Sequence, residues 1–116
     1  MNPDLKILVA EDSELQLQIC MAQLNKLGFE NVSGAANGNK AYAWLESNPA
    51  DLIISDWEMP GLNGFGLLKK VKGNPSLKDT PFIILTIHED ESKNQEALNL
   101  GAADYMIKPS TMEALS

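Results

Sequence analysis

Four places in the 116-residue chain put polar groups at the end of an apolar run: Glu11-Asp12 after Lys6–Ala10, Asp56 after Leu52–Ser55, Thr86 at the close of Pro81–Thr86, and Lys108-Pro109 after Tyr105–Ile107. If those runs lie side by side, three carboxylates, one hydroxyl and one ammonium meet on a single rim. Carboxylates so placed repel one another. A pair ~5 Å apart costs roughly 3 kcal/mol at an effective dielectric of about 20, so a cation is needed to offset the charge. Hard, anionic, oxygen-only ligands suit Mg²⁺, which takes a few carboxylates and fills its remaining positions with water or phosphate oxygens. Lys108 adds a fixed positive charge for a second anion, and Thr86 a hydroxyl donor. Metal, lysine and hydroxyl beside an exposed aspartate are what a phosphoryl group requires, because its transfer depends mainly on positioning and charge neutralisation.

Positioning these groups is the task of the elements between them. The four runs are continuously apolar rather than alternating, the habit of parallel strands covered on both faces. A weaker run, Val32–Ala36, is expected as a fifth strand nearer an edge. Between the strands lie helical patterns. Ser13-Glu14-Leu15-Gln16 has the form of a capping box, Leu17, Cys20, Met21, Leu24 and Leu27 recur at helical spacing, and Gly28 supplies a left-handed stop. Shorter helices are expected over Lys40–Ser47, Phe65–Lys72 and Ser92–Leu100, the last ending at Gly101. Strand and helix thus alternate five times, which predicts an α/β fold: a doubly wound, five-stranded parallel sheet with right-handed crossovers and helices on both faces. In such sheets ligands bind beyond the carboxyl ends of the strands, where all five candidate groups fall.

Composition narrows the function classes. With 44% hydrophobic residues the chain is long enough for one sizeable core and short for two, so residues 1–116 are expected to form a single domain. Sixteen acids against nine bases give a net charge of −7, which argues against direct binding to nucleic acid or an anionic membrane. The one cysteine, Cys20, excludes an internal disulfide, and its helical neighbours mark it as a small buried hydrophobe. A reducing cytoplasm fits best. Ile7-Leu8-Val9-Ala10 is too short for a signal segment or a membrane span.

Glu11-Asp12, Asp56 followed by Met59-Pro60 and Gly64, Thr86, and Gly101-Ala102 leading to Lys108-Pro109 together resemble the CheY-like receiver domain of two-component response regulators, over essentially the whole chain. The resemblance implies the flavodoxin-like strand order 2-1-3-4-5. It implies that Asp56 accepts a phosphoryl group from the phosphohistidine of a sensor histidine kinase or histidine phosphotransfer protein. Asp12 and Asp56 would ligate Mg²⁺ directly, Glu58 through its backbone carbonyl, and Glu11 through water or as a second carboxylate. Lys108 would pair with the phosphoryl oxygens, and Lys108-Pro109 is a candidate cis peptide. Thr86 and Tyr105 match the family's switch pair: the Thr86 hydroxyl turns toward the phosphoryl group and the Tyr105 ring fills the vacated space. The surface of the fourth strand, fourth helix and fifth strand would change with them, to be read by a downstream protein target or a fused output domain.

Three features depart from the family pattern or tune it. Ile87 stands where a small residue is usual and is expected to narrow access to Asp56. Glu58 and His88 occupy positions that set phosphoryl lifetime in relatives. Only Ser110–Ser116 follow Pro109, too few to complete the usual final helix, so that helix is expected to be truncated and the side it leaves open to favour self-association.

Each group also has a bland reading. Asp12 and Ser13 could merely cap a helix, Asp56 open a turn toward Pro60-Gly61, and Lys108-Pro109 form a loop. Their joint occurrence in order is what outweighs these readings. His88 has no second histidine or thiol near it, which argues against a soft-metal site. Trp44 and Phe65 are expected to pack helices against the sheet, and Trp57 to lie exposed beside the site. Among rival functions, a Mg²⁺-dependent phosphatase with an aspartyl-phosphate intermediate would carry a second aspartate two positions after its nucleophile, where this chain has Glu14 or Glu58. A flavin-phosphate carrier would be repelled by Glu11-Asp12. A receiver that binds partners without phosphorylation is disfavoured by the complete acceptor set.

Overall fold

A computed structural model describes residues 5–48, 50–56, 62–86, 95, 98, 99, 101, 102 and 104–107. In chain order the elements are β1 (Lys6–Ala10), α1 (Glu14–Lys26), β2 (Asn31–Ala35), α2 (Gly38–Ser47), β3 (Leu52–Asp56), α3 (Gly64–Lys72), β4 (Phe82–Thr86) and β5 (Asp104–Ile107). Gln95, Leu98 and Asn99 are helical, within the segment expected as the fourth helix. The strands form one parallel sheet in the order β2-β1-β3-β4-β5. Parallel neighbours cannot be joined by hairpins, so helical crossovers are obligatory and they cover both faces.

The two faces are visible in the alternation of the strands. Leu8 and Ala10 of β1, Ile53 of β3, and Phe82 and Ile84 of β4 pack with Ala41 and Leu45 of α2 and Leu67, Leu68 and Val71 of α3. Ile7 and Val9, Ile54 and Ile83 point the other way, against Cys20 and Leu24 of α1 and Phe29. Side chains on a strand alternate faces, so a strand buried on both sides must be apolar throughout. This is why β1 reads KILVA. Trp44 and Phe65 are partly buried against the α2/α3 face, as the sequence predicts, and Cys20 is a buried free thiol.

The helix starts are set by side-chain caps. Ser13, Asn37 and Asn63 have extended backbones, and their side-chain oxygens accept from the N–H of Gln16 (3.3 Å), Lys40 (2.8 Å) and Gly66 (2.8 Å). Each satisfies a donor that the first turn would otherwise leave open. Because Asn37 and Asn63 cap, α2 starts two residues before the expected Lys40 and α3 one residue before Phe65. After α1, Gly28 takes a positive φ of 102°, the conformation that turns the chain into the next strand and that glycine adopts without strain. Four strands also differ in their bounds from expectation: β2 runs one residue earlier than Val32–Ala36, β3 includes Asp56 itself, β4 begins at Phe82 rather than Pro81, and β5 begins at Asp104 rather than Tyr105. Among the described residues no helix is long and apolar enough to cross a membrane. The segment after Pro109, and with it the expected truncated final helix, lies outside the described residues.

Candidate functional site

Strand register brings the acids together. Ala10 of β1 pairs with Ser55 of β3, so Glu11 and Asp56 are the next residues on adjoining strands, at the same rim. The backbone N–H of Glu11 donates to the Ala35 carbonyl at 3.0 Å, which prolongs the β1–β2 ladder by one residue and fixes where the acidic pair begins. A carboxylate oxygen from each of Glu11, Asp12 and Asp56 lies within 4.8 Å of the other two.

The three carboxylates have different surroundings. Glu11 is buried, with 3% of its surface exposed, and its Oε1 accepts the Ser13 backbone N–H at 3.2 Å. Asp12 is exposed and Asp56 half-buried. Burying a carboxylate is costly unless hydrogen bonds or a cation compensate, and the Ser13 N–H provides one such bond. That N–H is the donor which the fourth residue of a capping box, here Gln16, normally takes, so one short turn both starts α1 and holds Glu11.

Ser55, just before the central acid, is completely buried, and its Oγ donates to the Asp56 carbonyl oxygen at 2.9 Å. A buried hydroxyl needs a partner, and here the partner is the backbone of the residue that must be held still. The sequence reading placed Ser55 in the strand and gave it no role; a lone polar residue inside an apolar run, immediately before the acid, is the signal that points to it.

Asp56 pairs with Leu85, and Thr86, the last residue of β4, pairs with Ile107, the last of β5. Thr86 therefore ends its strand one register step beyond Asp56, at the same end of the sheet. Tyr105 pairs with Ile84, two register steps back from the pair Thr86–Ile107. The remaining expected site residues, Glu58, Ile87, His88, Lys108 and Pro109, lie outside the described residues.

The donor set fits a small hard cation. Mg²⁺ binds oxygen at ~2.1 Å, which places opposite ligand atoms ~4.2 Å apart, so oxygens already within 4.8 Å need only a slight closure. Zinc and copper favour nitrogen and sulfur, which the cluster does not offer.

Comparison with known proteins agrees with this architecture. Residues 7–116 match the family model of the response regulator receiver domain. Chemotaxis protein CheY1 of Helicobacter pylori is 35% identical over 112 residues, covering 96% of this chain and 90% of the relative. The structure of chemotaxis response regulator CheY4 of Vibrio cholerae superposes with a TM-score of 0.88 at 35% identity, over 97% of this chain and 92% of that one. The receiver domain of a sensor histidine kinase from Pseudomonas aeruginosa PAO1, whose structure has a magnesium ion coordinated in the active-site cleft, superposes with a TM-score of 0.86 at 27% identity, over 97% of this chain and 91% of that one. A parallel sheet of this order, an acidic triad at its carboxyl rim and a family match across nearly the whole chain lead to one conclusion: the protein belongs to the CheY-like response regulator receiver domains of two-component signalling.

Proposed function

We propose that residues 1–116 act as one phosphoacceptor switch, with Asp56 receiving a phosphoryl group from a histidine kinase or histidine phosphotransfer protein. The observation that carries this reading is the convergence of Glu11, Asp12 and Asp56 within 4.8 Å, with Asp56 at the end of a strand whose three preceding residues, Ile53, Ile54 and Ser55, are fully buried. A nucleophile needs a fixed position and an open approach, and a half-buried residue on a rigid post offers both. In the transfer, a lone pair on an Asp56 carboxylate oxygen forms the new O–P bond as the donor's P–N bond breaks. The electron pair returns to the imidazole, which takes a proton from solvent. When bound, Mg²⁺ would neutralise charge on the acids and on the phosphoryl oxygens.

In this proposal Asp12 and Asp56 would ligate the cation directly, the Glu58 backbone carbonyl would be a third ligand, and Glu11, which accepts the Ser13 N–H, would act through water or as a second carboxylate. Lys108 pairs with the transferred group. The Thr86 hydroxyl and the Tyr105 ring pass the event to the surface around β4 and β5, where a downstream protein or a fused output domain reads it. Ile87 slows entry of small donors, which Ile87→Ala tests: a faster rate is expected, and an unchanged rate removes the idea. The protein catalyses only its own phosphorylation and dephosphorylation, and the reducing cytoplasm is its compartment.

The experiment is incubation with Mg²⁺ and a small acyl phosphate, followed by intact mass measurement of wild type and Asp56→Asn. A gain of one phosphoryl group in wild type, absent in Asp56→Asn and absent with EDTA, is the expected result. Equal gain in both proteins contradicts the assignment of Asp56.

A further inference from the structure

At the amino end of the sheet, away from the acidic rim, a cavity of about 330 Å³ opens between the start of β2 and the end of α2, lined by Lys6, Glu30, Asn31, Ser33, Trp44 and Asn48. It adjoins an open edge. Among the described residues β2 pairs with β1 alone. The Glu11 N–H donates to the Ala35 carbonyl, so Ala35 turns its backbone groups toward β1. In a parallel ladder both groups of one residue point to one side and those of the next to the other, so Asn31 and Ser33 also face β1, while Val32 and Gly34 present their N–H and C=O outward. Such an edge is a template for one more strand, and β2, reading NVSGA, carries neither the charge nor the proline that commonly blocks one.

Side-chain alternation fixes where a residue of that added strand would go. Ala35 packs on the α2/α3 face and Val32 on the α1 face, so Ser33 looks toward α2, where Trp44 is half-buried. A residue opposite Ser33 on an added strand shares its face and enters the cavity beside the Trp44 ring. We propose that the β2 edge and this cavity together dock an extended peptide of a partner protein, with a tyrosine seated against Trp44. Among the described residues neither the Lys6 ammonium nor the Glu30 carboxylate has an ion-pair or hydrogen-bond partner. A phenol hydroxyl accepts from an ammonium and donates to a carboxylate, so it serves both, while its ring packs on the indole. Arginine is repelled by Lys6, and phenylalanine leaves both charges unserved. A second copy of this chain fits less well. Two β2 edges paired antiparallel about Gly34 would set the copy's Ala35 opposite Ser33, a methyl group that leaves the cavity unfilled, and each copy carries a net charge of −7.

The test uses short blocked peptides of alternating threonine and valine, with lysine at each end and tyrosine, phenylalanine, arginine or alanine at the centre, titrated into isotope-labelled protein. Nuclear magnetic resonance follows the backbone amides of Val32 and Gly34 and the indole N–H of Trp44, told from that of Trp57 by Trp57→Phe. Expected is saturable movement of all three signals by the tyrosine peptide, with a Kd below about 1 mM. Phenylalanine should weaken binding about fivefold, the size of a lost hydrogen bond, and arginine and alanine should weaken it further. Methylating alternate backbone nitrogens of the tyrosine peptide should abolish binding in the phase that faces β2 and leave it unchanged in the other. Glu30→Ala and Lys6→Ala, both at exposed positions, should each remove most of the preference for tyrosine over phenylalanine. No saturation by any peptide at about 1 mM overturns the proposal. So does equal binding of all four peptides, equal effect of the two methylation phases, or movement of the indole without Val32 and Gly34. Shifts at Val32 and Gly34 that grow with protein concentration in the absence of peptide would assign the edge to a second copy of the chain, and they too overturn it.

Discussion

Glu11 and Asp12 are adjacent in sequence and opposite in solvent access, one buried and one exposed. Both join Asp56 in a cluster whose oxygens lie within 4.8 Å of one another. Their repulsion stabilises nothing by itself. Removing one charge should therefore strengthen the metal-free fold while weakening the site. At this separation and an effective dielectric of about 20 a pair costs roughly 3 kcal/mol, and water around the exposed Asp12 screens most of it. Asp12→Asn is expected to raise unfolding free energy in EDTA by about 1 kcal/mol and to weaken Mg²⁺ binding. Denaturant titrations with and without the ion check both signs, and a loss of stability in EDTA would show that Asp12 is structural. These acids were legible in the sequence because each closes an apolar run. The Ser13 N–H on Glu11 was not, since it depends on how the backbone turns rather than on residue type, and the Ser55 hydroxyl on the Asp56 carbonyl left only a lone polar residue in an apolar run as its sign.

At the scale of elements, β1 matches its expected span of Lys6–Ala10 because both its faces are covered and every residue after Lys6 is buried. The starts of α2 and α3 were less legible: Gly38 and Gly64 precede the expected helices Lys40–Ser47 and Phe65–Lys72, yet asparagine caps draw both into helices. The cap of α3 is the Asn63 side-chain oxygen, which accepts the Gly66 N–H at 2.8 Å. Asn63→Ala is expected to cost about 1 kcal/mol of unfolding free energy, seen as a lower urea midpoint. Leu8→Ala, which opens a cavity in the α2/α3 face, is expected to cost on the order of 3 kcal/mol. If Asn63→Ala costs as much as Leu8→Ala, then Asn63 does more than cap its helix.

For the molecule as a whole, strand order follows from crossovers that the apolar pattern implies only in part: alternation of strands and helices predicted a parallel sheet, and family resemblance supplied the order β2-β1-β3-β4-β5 that the structure has. Ligand linkage supplies a test of that arrangement. A cation that binds the folded chain alone adds about 2.7 kcal/mol of stability at a concentration 100 times its Kd. Wild type should show this gain with Mg²⁺, and Asp56→Asn should lose most of it. The most direct measurement is chemical localisation of the phosphoryl group. After reaction with a small acyl phosphate and Mg²⁺, borohydride reduction converts an aspartyl phosphate to homoserine, and peptide mass mapping reads its position. The account predicts homoserine at position 56 alone. Homoserine at position 12, or none at any acid while the intact protein carries a phosphoryl group, would contradict it.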